Sequence, residues 1–258
     1  MPKLIALDLD GTLFRKDKTI SSHSIDVLRR CREKGHYVVI ATGRTEKDCE
    51  RIFPDILPTA LISSDGAYVR YGEEVLLQKT IPKATFSALM AWCRACPNIK
   101  DILIDTPTGY IMSSVPSLPQ QYLNDFLNVT TIVESLDGIE TKTAAYGLNV
   151  DTSEPAEVAA LAQSFPDIRL MRFESMFTLW PADTGKWPAL EILSARLNIA
   201  KQDIIAFGDE CNDIEMIEKS GTGVAMANAI EAVKAVSNHI CDTNDNDGIA
   251  KWLADNLL

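Results

Sequence analysis

The feature that most constrains the fold lies at the start of the chain, where an apolar run is followed at once by two acids. The run is LIAL at residues 4–7, and the acids are Asp8 and Asp10. Consecutive apolar residues are typical of a strand buried on both faces, as in a parallel sheet. Open α/β sheets bind ligands at the carboxyl ends of their strands. Two acids on the same side of a strand end repel each other unless a cation or a shared proton compensates. The opening segment therefore predicts a parallel sheet with a ligand site at Asp8 and Asp10.

Strand and helix patterns alternate in the first third of the chain and again after residue 186. Residues 83–181 instead combine short strands with helices, including a helix expected near residues 119–128, and do not follow this alternation. Such a change of pattern is typical of a separate domain. We therefore expect an α/β protein with a Rossmann-like parallel-sheet core, formed discontinuously by residues 1–82 and 182–258, and an inserted α+β domain at 83–181.

Composition limits the class of partner. The chain has 258 residues, and 46% of them are hydrophobic, which is ample for a sizeable core. Its formal net charge of -11 disfavours a nucleic acid or an anionic membrane surface as the main partner. There is no Arg-led apolar leader and no apolar stretch near the ~20 residues that span a bilayer. The six cysteines are scattered. We expect a cytoplasmic protein with reduced thiols that binds neither nucleic acid nor membranes.

Two segments have the spacing of metal sites but lack the necessary residues. Cys93 and Cys96 form a CxxC pair, yet no second pair and no nearby histidine complete a zinc site. The acidic segment 242–248 resembles a calcium loop, but its register puts Thr243 at the first position and Ala254 at the twelfth, where acids are needed. We expect it to be a turn before the last helix, capped by Asp247 or a neighbour.

Polar residues also occur at four places that an α/β sheet would bring to one edge. These are Asp8–Thr12, Thr42–Arg44, Lys186, and Gly208–Asp213. A turn or a helix cap explains each of them singly. Because all four stand in a strand-turn-helix context, we expect them to form a common site.

The residue types at this edge suit phosphoryl transfer. Several carboxylates around one point need a hard divalent ion, and oxygen ligands favour magnesium. The hydroxyl of Thr42 and the amide of Gly43 can hold phosphoryl oxygens where a helix begins, while Lys186 supplies positive charge. An aspartate is ionised at neutral pH, so it can act as a nucleophile without an activating base.

The ordered motifs DLDGT, ATGR, a late Lys186 and GDECND resemble those of the haloacid dehalogenase superfamily of phosphohydrolases. Their order and spacing cover essentially the whole chain. The place of the insert is similar to that of the large α/β cap in the Cof-type subfamily. That resemblance implies a magnesium-dependent phosphatase that acts on sugar phosphates or related small metabolites.

The resemblance also implies a role for each motif residue. Asp8 would attack phosphorus to give an aspartyl-phosphate, and Asp10 would protonate the leaving oxygen and later activate water. Asp213 would orient Lys186 or metal-bound water. Magnesium would be held by Asp8, the backbone carbonyl of Asp10, and Asp209. The phosphoryl group would be bound by Leu9 (through its amide), Thr42, Gly43, Lys186 and Asn212.

The chain departs from the family pattern at two positions. Asp65 stands where relatives usually carry asparagine, and Trp187 stands where they usually carry glycine. We expect Asp65 to affect the recognition of substrate hydroxyls, and Trp187 to change the local packing. Candidate substrate contacts are Arg44 and Asp65 beside the motifs and, in the insert, Arg169, Arg172, Tyr110, Phe173, Phe177 and Trp180.

Two other functions remain open at this point. A phosphotransferase or mutase would use the same aspartyl-phosphate but pass it to a second substrate, and Asp10 suits both outcomes. A regulatory module would bind phosphate without turnover, although a pure binder has no need of both Asp8 and Asp10.

Overall fold

The computed structural model describes residues 1–50, 53–112, 131–133, 135–173 and 176–258. Its strands are β1 (Leu4–Leu7), β2 (Tyr37–Ala41), β3 (Ala60–Ser63), β4 (Tyr68–Tyr71), β5 (Glu74–Gln78), β6 (Ile99–Thr106), β7 (Gly109–Met112), β8 (Thr131–Val133), β9 (Gly147–Thr152), β10 (Ile168–Phe173), β11 (Met176–Pro181), β12 (Ile204–Gly208), β13 (Thr222–Ala225) and β14 (His239–Ile240). Its α-helices are α1 (Ser22–Glu33), α2 (Glu46–Cys49), α3 (Phe53–Ile56), α4 (Lys83–Ala95), α5 (Ile139–Lys142), α6 (Pro155–Gln163), α7 (Lys186–Leu197), α8 (Ile214–Lys219), α9 (Glu231–Val236) and α10 (Gly248–Asn256).

Contacts divide the chain into two units. The first comprises Met1–Gly43, Ile52–Leu77 and Gly185–Leu258, and the second comprises Arg44–Arg51 and Gln78–Thr184. The second unit thus extends the expected insert at both ends. It also includes residues 44–51, which we expected in the core.

The first unit is built on an eight-stranded sheet in the order β14-β13-β12-β1-β2-β3-β4-β5. Neighbouring strands from β14 to β3 are parallel, and β4 pairs with β3 in the antiparallel sense. In β1, Leu7 pairs with Phe207 on one side and with Ile40 on the other. Every residue of β1 is fully buried, so both faces of the sheet are covered here. The predicted α/β fold with a parallel-sheet core is confirmed.

The second unit is built on a six-stranded sheet in the order β10-β11-β9-β6-β7-β8. Its strands pair in the antiparallel sense except β7 and β8, which are parallel. Phe86 and Leu89 from α4 pack with Leu148 and Phe177 in the core of this unit. The amphipathic α4 thereby covers apolar strand residues, as its spacing of apolar side chains requires.

Several predicted elements differ from the observed ones. Of the helix expected from Thr45 to about Phe53, the structure describes α2, which ends at Cys49, and the start of α3 at Phe53; residues 51 and 52 between them lie outside the described residues. The short elements α5 and β14 were not predicted, since a few residues carry too little periodicity. The helix expected near 119–128 lies outside the described residues.

The two segments that resembled metal sites have structural roles. Cys93 lies in the core of the second unit, where burial raises the pKa of its thiol to about 12. Cys96 instead donates to Glu157 at 3.1 Å. Asp247 stands at the start of α10 but makes no capping hydrogen bond, because its φ of 57° is left-handed, whereas N-caps are normally extended. Its carboxylate accepts from Arg15 at 2.9 Å.

Candidate active site

The candidate site lies in the first unit, at the carboxyl ends of four neighbouring strands. Asp8 follows β1 and continues the ladder by donating its backbone N–H to Phe207 at 3.1 Å. Thr42 follows β2 and donates its N–H to Ile62 at 2.9 Å. Asp65 and Asp209 come just after β3 and β12. Since these strands are parallel, their ends place the polar residues at one edge of the sheet.

The turn after Asp8 brings the chain against Asp209. Gly11 has a φ of +78°, and a Cβ at this position would lie 2.1 Å from Oδ2 of Asp209. Only glycine adopts this conformation and also permits so close an approach. The next residue, Thr12, donates its hydroxyl to Oδ1 of Asp209 at 2.6 Å. Thr12 carries no predicted role, although its place in the DLDGT segment is the signal that points to it.

Lys186 is the central cation of the site. Its side chain is 1% exposed, and its Nζ lies 2.7 Å from Oδ1 of Asp8 and 2.6 Å from Oδ1 of Asp213. Burial alone would lower the pKa of this lysine, but the carboxylates of Asp213 and Asp8 outweigh burial and raise it. Lys186 is therefore charged. Its two ion pairs offset the cost of burying that charge.

Asp213 holds Lys186 and the loop after β12 together. Its Oδ1 pairs with Lys186, while its Oδ2 accepts the backbone N–H groups of Asp209 at 2.9 Å and Glu210 at 3.0 Å. A Cβ on Gly208 would lie 2.5 Å from the Cβ of Asp213, so this approach requires glycine. Both oxygens of Asp213 already have partners within the protein. This geometry suits a residue that orients Lys186.

The acidic cluster at this edge suits a divalent cation. Asp8, Asp209 and Asp213 each offer a carboxylate oxygen, and these oxygens lie within 4.8 Å of one another. Burial raises the pKa of Asp8 above its ordinary value and raises the pKa of Asp209 to about 7. Oxygen donors of this kind are the ligands of hard divalent ions, whose charge would favour the ionised carboxylates. Because the oxygens of Asp213 are already engaged, Asp8 and Asp209 are the better-placed ligands.

Asp10 lies apart from this cluster. Its side chain is 39% exposed, and Oδ1 lies 2.7 Å from Nζ of Lys18. Lys18 was not predicted as a neighbour of the site. The signal that could have found it is weak, because a single lysine after a turn is most often solvated. The exposure of Asp10 leaves its carboxyl accessible to small molecules.

The remaining motif residues meet around Thr42 and Asp65. Thr42 is buried, and its carbonyl accepts the backbone N–H of Asp65 at 3.0 Å. Asn212 donates from Nδ2 to Oδ1 of Asp65 at 2.8 Å. The structure thus brings together Asp8, Thr42, Lys186, Asp209, Asn212 and Asp213 in the first unit. Trp187 is accommodated by burial beside them, with Nζ of Lys201 5.4 Å from its ring centroid.

The substrate candidates of the second unit are engaged in contacts within that unit. Arg44 pairs with buried Asp48 at 2.7 Å. The hydroxyl of Tyr110 accepts the backbone N–H of Thr45 at 3.3 Å. The guanidinium of Arg169 stacks over Trp180 at 4.6 Å, and that of Arg172 lies 5.5 Å from the ring centroid of Phe177. These contacts stabilise the unit; the side chain of Phe173 lies outside the described residues.

A buried aspartate, a lysine and an acidic cluster lie together at the strand ends of a parallel sheet. This arrangement suits phosphoryl transfer. The chain belongs to the haloacid dehalogenase-like hydrolase family, whose model matches residues 5–253. Family and relatives together confirm the prediction of a phosphohydrolase. Within the described part of the chain, no helix is long and apolar enough to cross a membrane.

Relatives and solved structures are similar over nearly the whole chain. A 5-amino-6-(5-phospho-D-ribitylamino)uracil phosphatase of Bacillus subtilis is 29% identical, with 98% of this chain and 96% of the relative covered. A pyridoxal phosphate phosphatase of Escherichia coli is 26% identical over 99% of both chains. A solved phosphatase of this superfamily from Bacteroides thetaiotaomicron has a TM-score of 0.86 and 27% identity, with 99% of this chain and 95% of the other covered.

Proposed function

We propose that this protein is a magnesium-dependent phosphatase that hydrolyses small phosphate monoesters through an aspartyl-phosphate on Asp8. The observation that carries the proposal is the buried contact of Asp8 with Lys186, which is itself held by Asp213. A carboxylate oriented in this way can attack phosphorus without a general base. The neighbouring lysine offsets the negative charge of an incoming phosphoryl group.

Asp10 completes the chemistry as the acid and base. In the first half, an oxygen of Asp8 bonds to phosphorus while the leaving oxygen departs with a proton from Asp10. In the second half, Asp10 accepts a proton from water, whose oxygen bonds to phosphorus as the bond to Asp8 breaks. Phosphate is released and both carboxyl groups return to their starting states. The exposure of Asp10 supports this role, because the side chain must reach the leaving group and water.

The electrostatics of the site favour a cation as cofactor. The carboxylates that interact with Lys186 are Asp8, Asp65, Asp209 and Asp213, so negative charge exceeds positive charge before any phosphate arrives. Magnesium would be held by Asp8, Asp209 and the backbone carbonyl of Asp10. When bound, it supplies the positive charge that lets an anionic substrate approach these acids.

The substrate class is a small phosphorylated metabolite. The relatives named above act on a phosphorylated ribitylaminouracil and on pyridoxal phosphate. A solved structure of 25% identity and TM-score 0.86 is described as a sugar phosphatase. We infer that this chain takes a monoester of comparable size, with Thr42, the amides of Leu9 and Gly43, Lys186 and Asn212 holding the phosphoryl group.

The test is phosphate release from an aryl phosphate such as p-nitrophenyl phosphate, with and without magnesium. We expect turnover to require magnesium and Asp8→Asn to lower kcat by at least about 10³-fold, because the nucleophile is lost. Asp203→Ala, which removes a carboxylate paired with Lys3 away from the site, serves as the control and should retain activity.

Product analysis separates hydrolysis from group transfer. Hydrolysis releases phosphate and phenol in equal amounts, whereas a phosphotransferase releases less phosphate when an acceptor alcohol is present. Full activity of a folded Asp8→Asn variant would contradict the mechanism. The absence of magnesium-dependent turnover on a panel of sugar, nucleotide and cofactor phosphates would contradict the proposed function itself.

A further inference from the structure

The turn after β3 has an unusual backbone. Ser64, Asp65 and Gly66 have φ values of 48°, 49° and 86°, so three consecutive residues lie in the left-handed region. Side chains disfavour this region, and a run of such residues is held only where the surroundings impose it. All three residues are buried. A buried turn of this kind points to a specific role for the side chain that it presents.

The surroundings that impose the turn are two motifs of the candidate site. The backbone N–H of Asp65 donates to the carbonyl of Thr42 at 3.0 Å. Gly66 packs against the residue before Lys186 so closely that a Cβ would lie 2.1 Å from the carbonyl oxygen of Gly185. The turn is therefore fixed between the phosphate-binding motif after β2 and the start of the helix that carries the lysine.

The side chain of Asp65 reaches a third motif. It is 1% exposed, and its Oδ1 accepts Nδ2 of Asn212 at 2.8 Å. An ionised carboxylate only accepts hydrogen bonds, so the amide nitrogen of Asn212, and not its oxygen, must face Asp65. This fixes the orientation of the Asn212 amide. The charge of Asp65 also helps to raise the pKa of Lys186, after the larger contributions of Asp213 and Asp8.

We propose that Asp65 is a positioning residue that holds the side-chain amide of Asn212 in the orientation that binds the phosphoryl group. The inference rests on the proposed function. Asp65 acts through Asn212 and does not itself touch the phosphoryl group. The left-handed turn places the carboxylate where it reaches Asn212, and the contacts with Thr42 and Gly185 keep the turn in place.

Kinetics of single and double variants test this role. We expect Asp65→Ala to lower kcat/KM for an aryl phosphate at least fivefold. Asp65→Asn should stay within threefold of wild type, because its amide oxygen can accept the same hydrogen bond. In an Asn212→Ala background, Asp65→Ala should change kcat/KM by less than twofold. Asp203→Ala is again the matched control. If Asp65→Ala does not fold, Asp65→Ser replaces it, because the serine side chain is too short to reach Asn212.

A second measurement does not depend on activity. The side-chain NH2 resonances of Asn212, identified by their loss in Asn212→Ala, report the hydrogen bond to Asp65 in a ¹H–¹⁵N spectrum. We expect Asp65→Ala to move them upfield and Asp65→Asn to keep them near their wild-type positions. A purely structural role of Asp65 would lower stability without this residue-specific shift.

The outcomes separate the two proposals. Wild-type kcat/KM in Asp65→Ala, equal losses in the alanine and asparagine variants, or independent losses in the double variant would overturn the positioning role. Unmoved Asn212 resonances in Asp65→Ala would overturn it as well. If wild type shows no magnesium-dependent turnover while the Asn212 resonances shift as expected, the proposed function fails and the contact stands.

Discussion

At the scale of single residues, the site depends on one buried ammonium between two buried carboxylates. Lys186 contacts Asp8 and Asp213, and these side chains are 8% exposed or less. A buried charge without its partner is much more costly than an exposed one. The lysine therefore stabilises the first unit and, under the proposed function, also serves its chemistry.

Replacing Lys186 should lower both the phosphatase activity and the stability of the protein. We expect Lys186→Ala to abolish phosphatase activity and to lower the free energy of unfolding by about 3–5 kcal/mol, the usual cost of breaking a buried pair. The loss should be smaller at acidic pH, where the stranded carboxyls can protonate. Chemical denaturation at two pH values measures this change in the free energy of unfolding. Lys3→Ala, which breaks the more exposed pair with Asp203, should cost less than about 1 kcal/mol. Equal losses in the two variants would contradict this account.

At the scale of elements, turns between strands and helices fix the distances within the site. Gly11 and Gly35 both have left-handed φ values, of +78° and +85°. A Cβ on Gly11 would collide with the carboxylate of Asp209, whereas a Cβ on Gly35 would meet nothing within 4 Å. The two glycines therefore separate the cost of the backbone conformation from the cost of displacing a site residue.

We expect Gly35→Ala to lower the free energy of unfolding by roughly 1 kcal/mol, the strain of a left-handed alanine, with kcat/KM unchanged. Gly11→Ala should carry the same strain and also push Asp209 out of place. It should therefore raise the magnesium concentration needed for half-maximal activity. It should also lower kcat/KM at least tenfold. Magnesium titrations of both variants test the comparison. Normal magnesium dependence in Gly11→Ala would show that Asp209 does not need this approach.

Much of the architecture could be predicted from the sequence because its signals are local. The buried run 4–7 predicts the central strand, which is observed at Leu4–Leu7, and the alternation that resumes after residue 186 is observed from α7 onward. Contacts between distant residues left no such signal. Asn212 and Asp65 are 147 positions apart, and Thr45, just after β2, donates its backbone N–H to the hydroxyl of Tyr110, 65 positions later. Tertiary structure, not periodicity, determines these contacts.

At the scale of the whole molecule, a formal charge of -11 and an acidic cluster that suits a divalent cation should make stability depend on pH and on cations. Burial raises the pKa of Asp209 from its ordinary value of 3.8 to about 7. Between these values, the folded protein keeps a proton that the unfolded chain has released. That contribution to stability is present at acidic pH and is lost as the pH rises through about 7.

Magnesium should reverse this loss, because under the proposed function it would bind the ionised carboxylates of Asp8 and Asp209. We expect the rise in Tm on adding magnesium to be larger at pH 8 than at pH 5.5. Below pH 7, the apparent magnesium affinity should fall by up to about tenfold per pH unit, as protons compete at Asp209. Thermal unfolding with and without magnesium measures both effects, and Asp209→Asn should remove most of the difference. An equal rise in Tm at both pH values would contradict a metal bound at Asp209.

An aspartyl-phosphate on Asp8 can be tested by trapping the phosphorylated protein. The enzyme is mixed with an aryl phosphate and magnesium, quenched in acid during turnover, digested and mapped by mass spectrometry. We expect one added phosphoryl group on the peptide that contains Asp8, lost on treatment with hydroxylamine and absent from Asp8→Asn. Steady turnover without a phosphorylated peptide, or with the phosphoryl group on another residue, would contradict it.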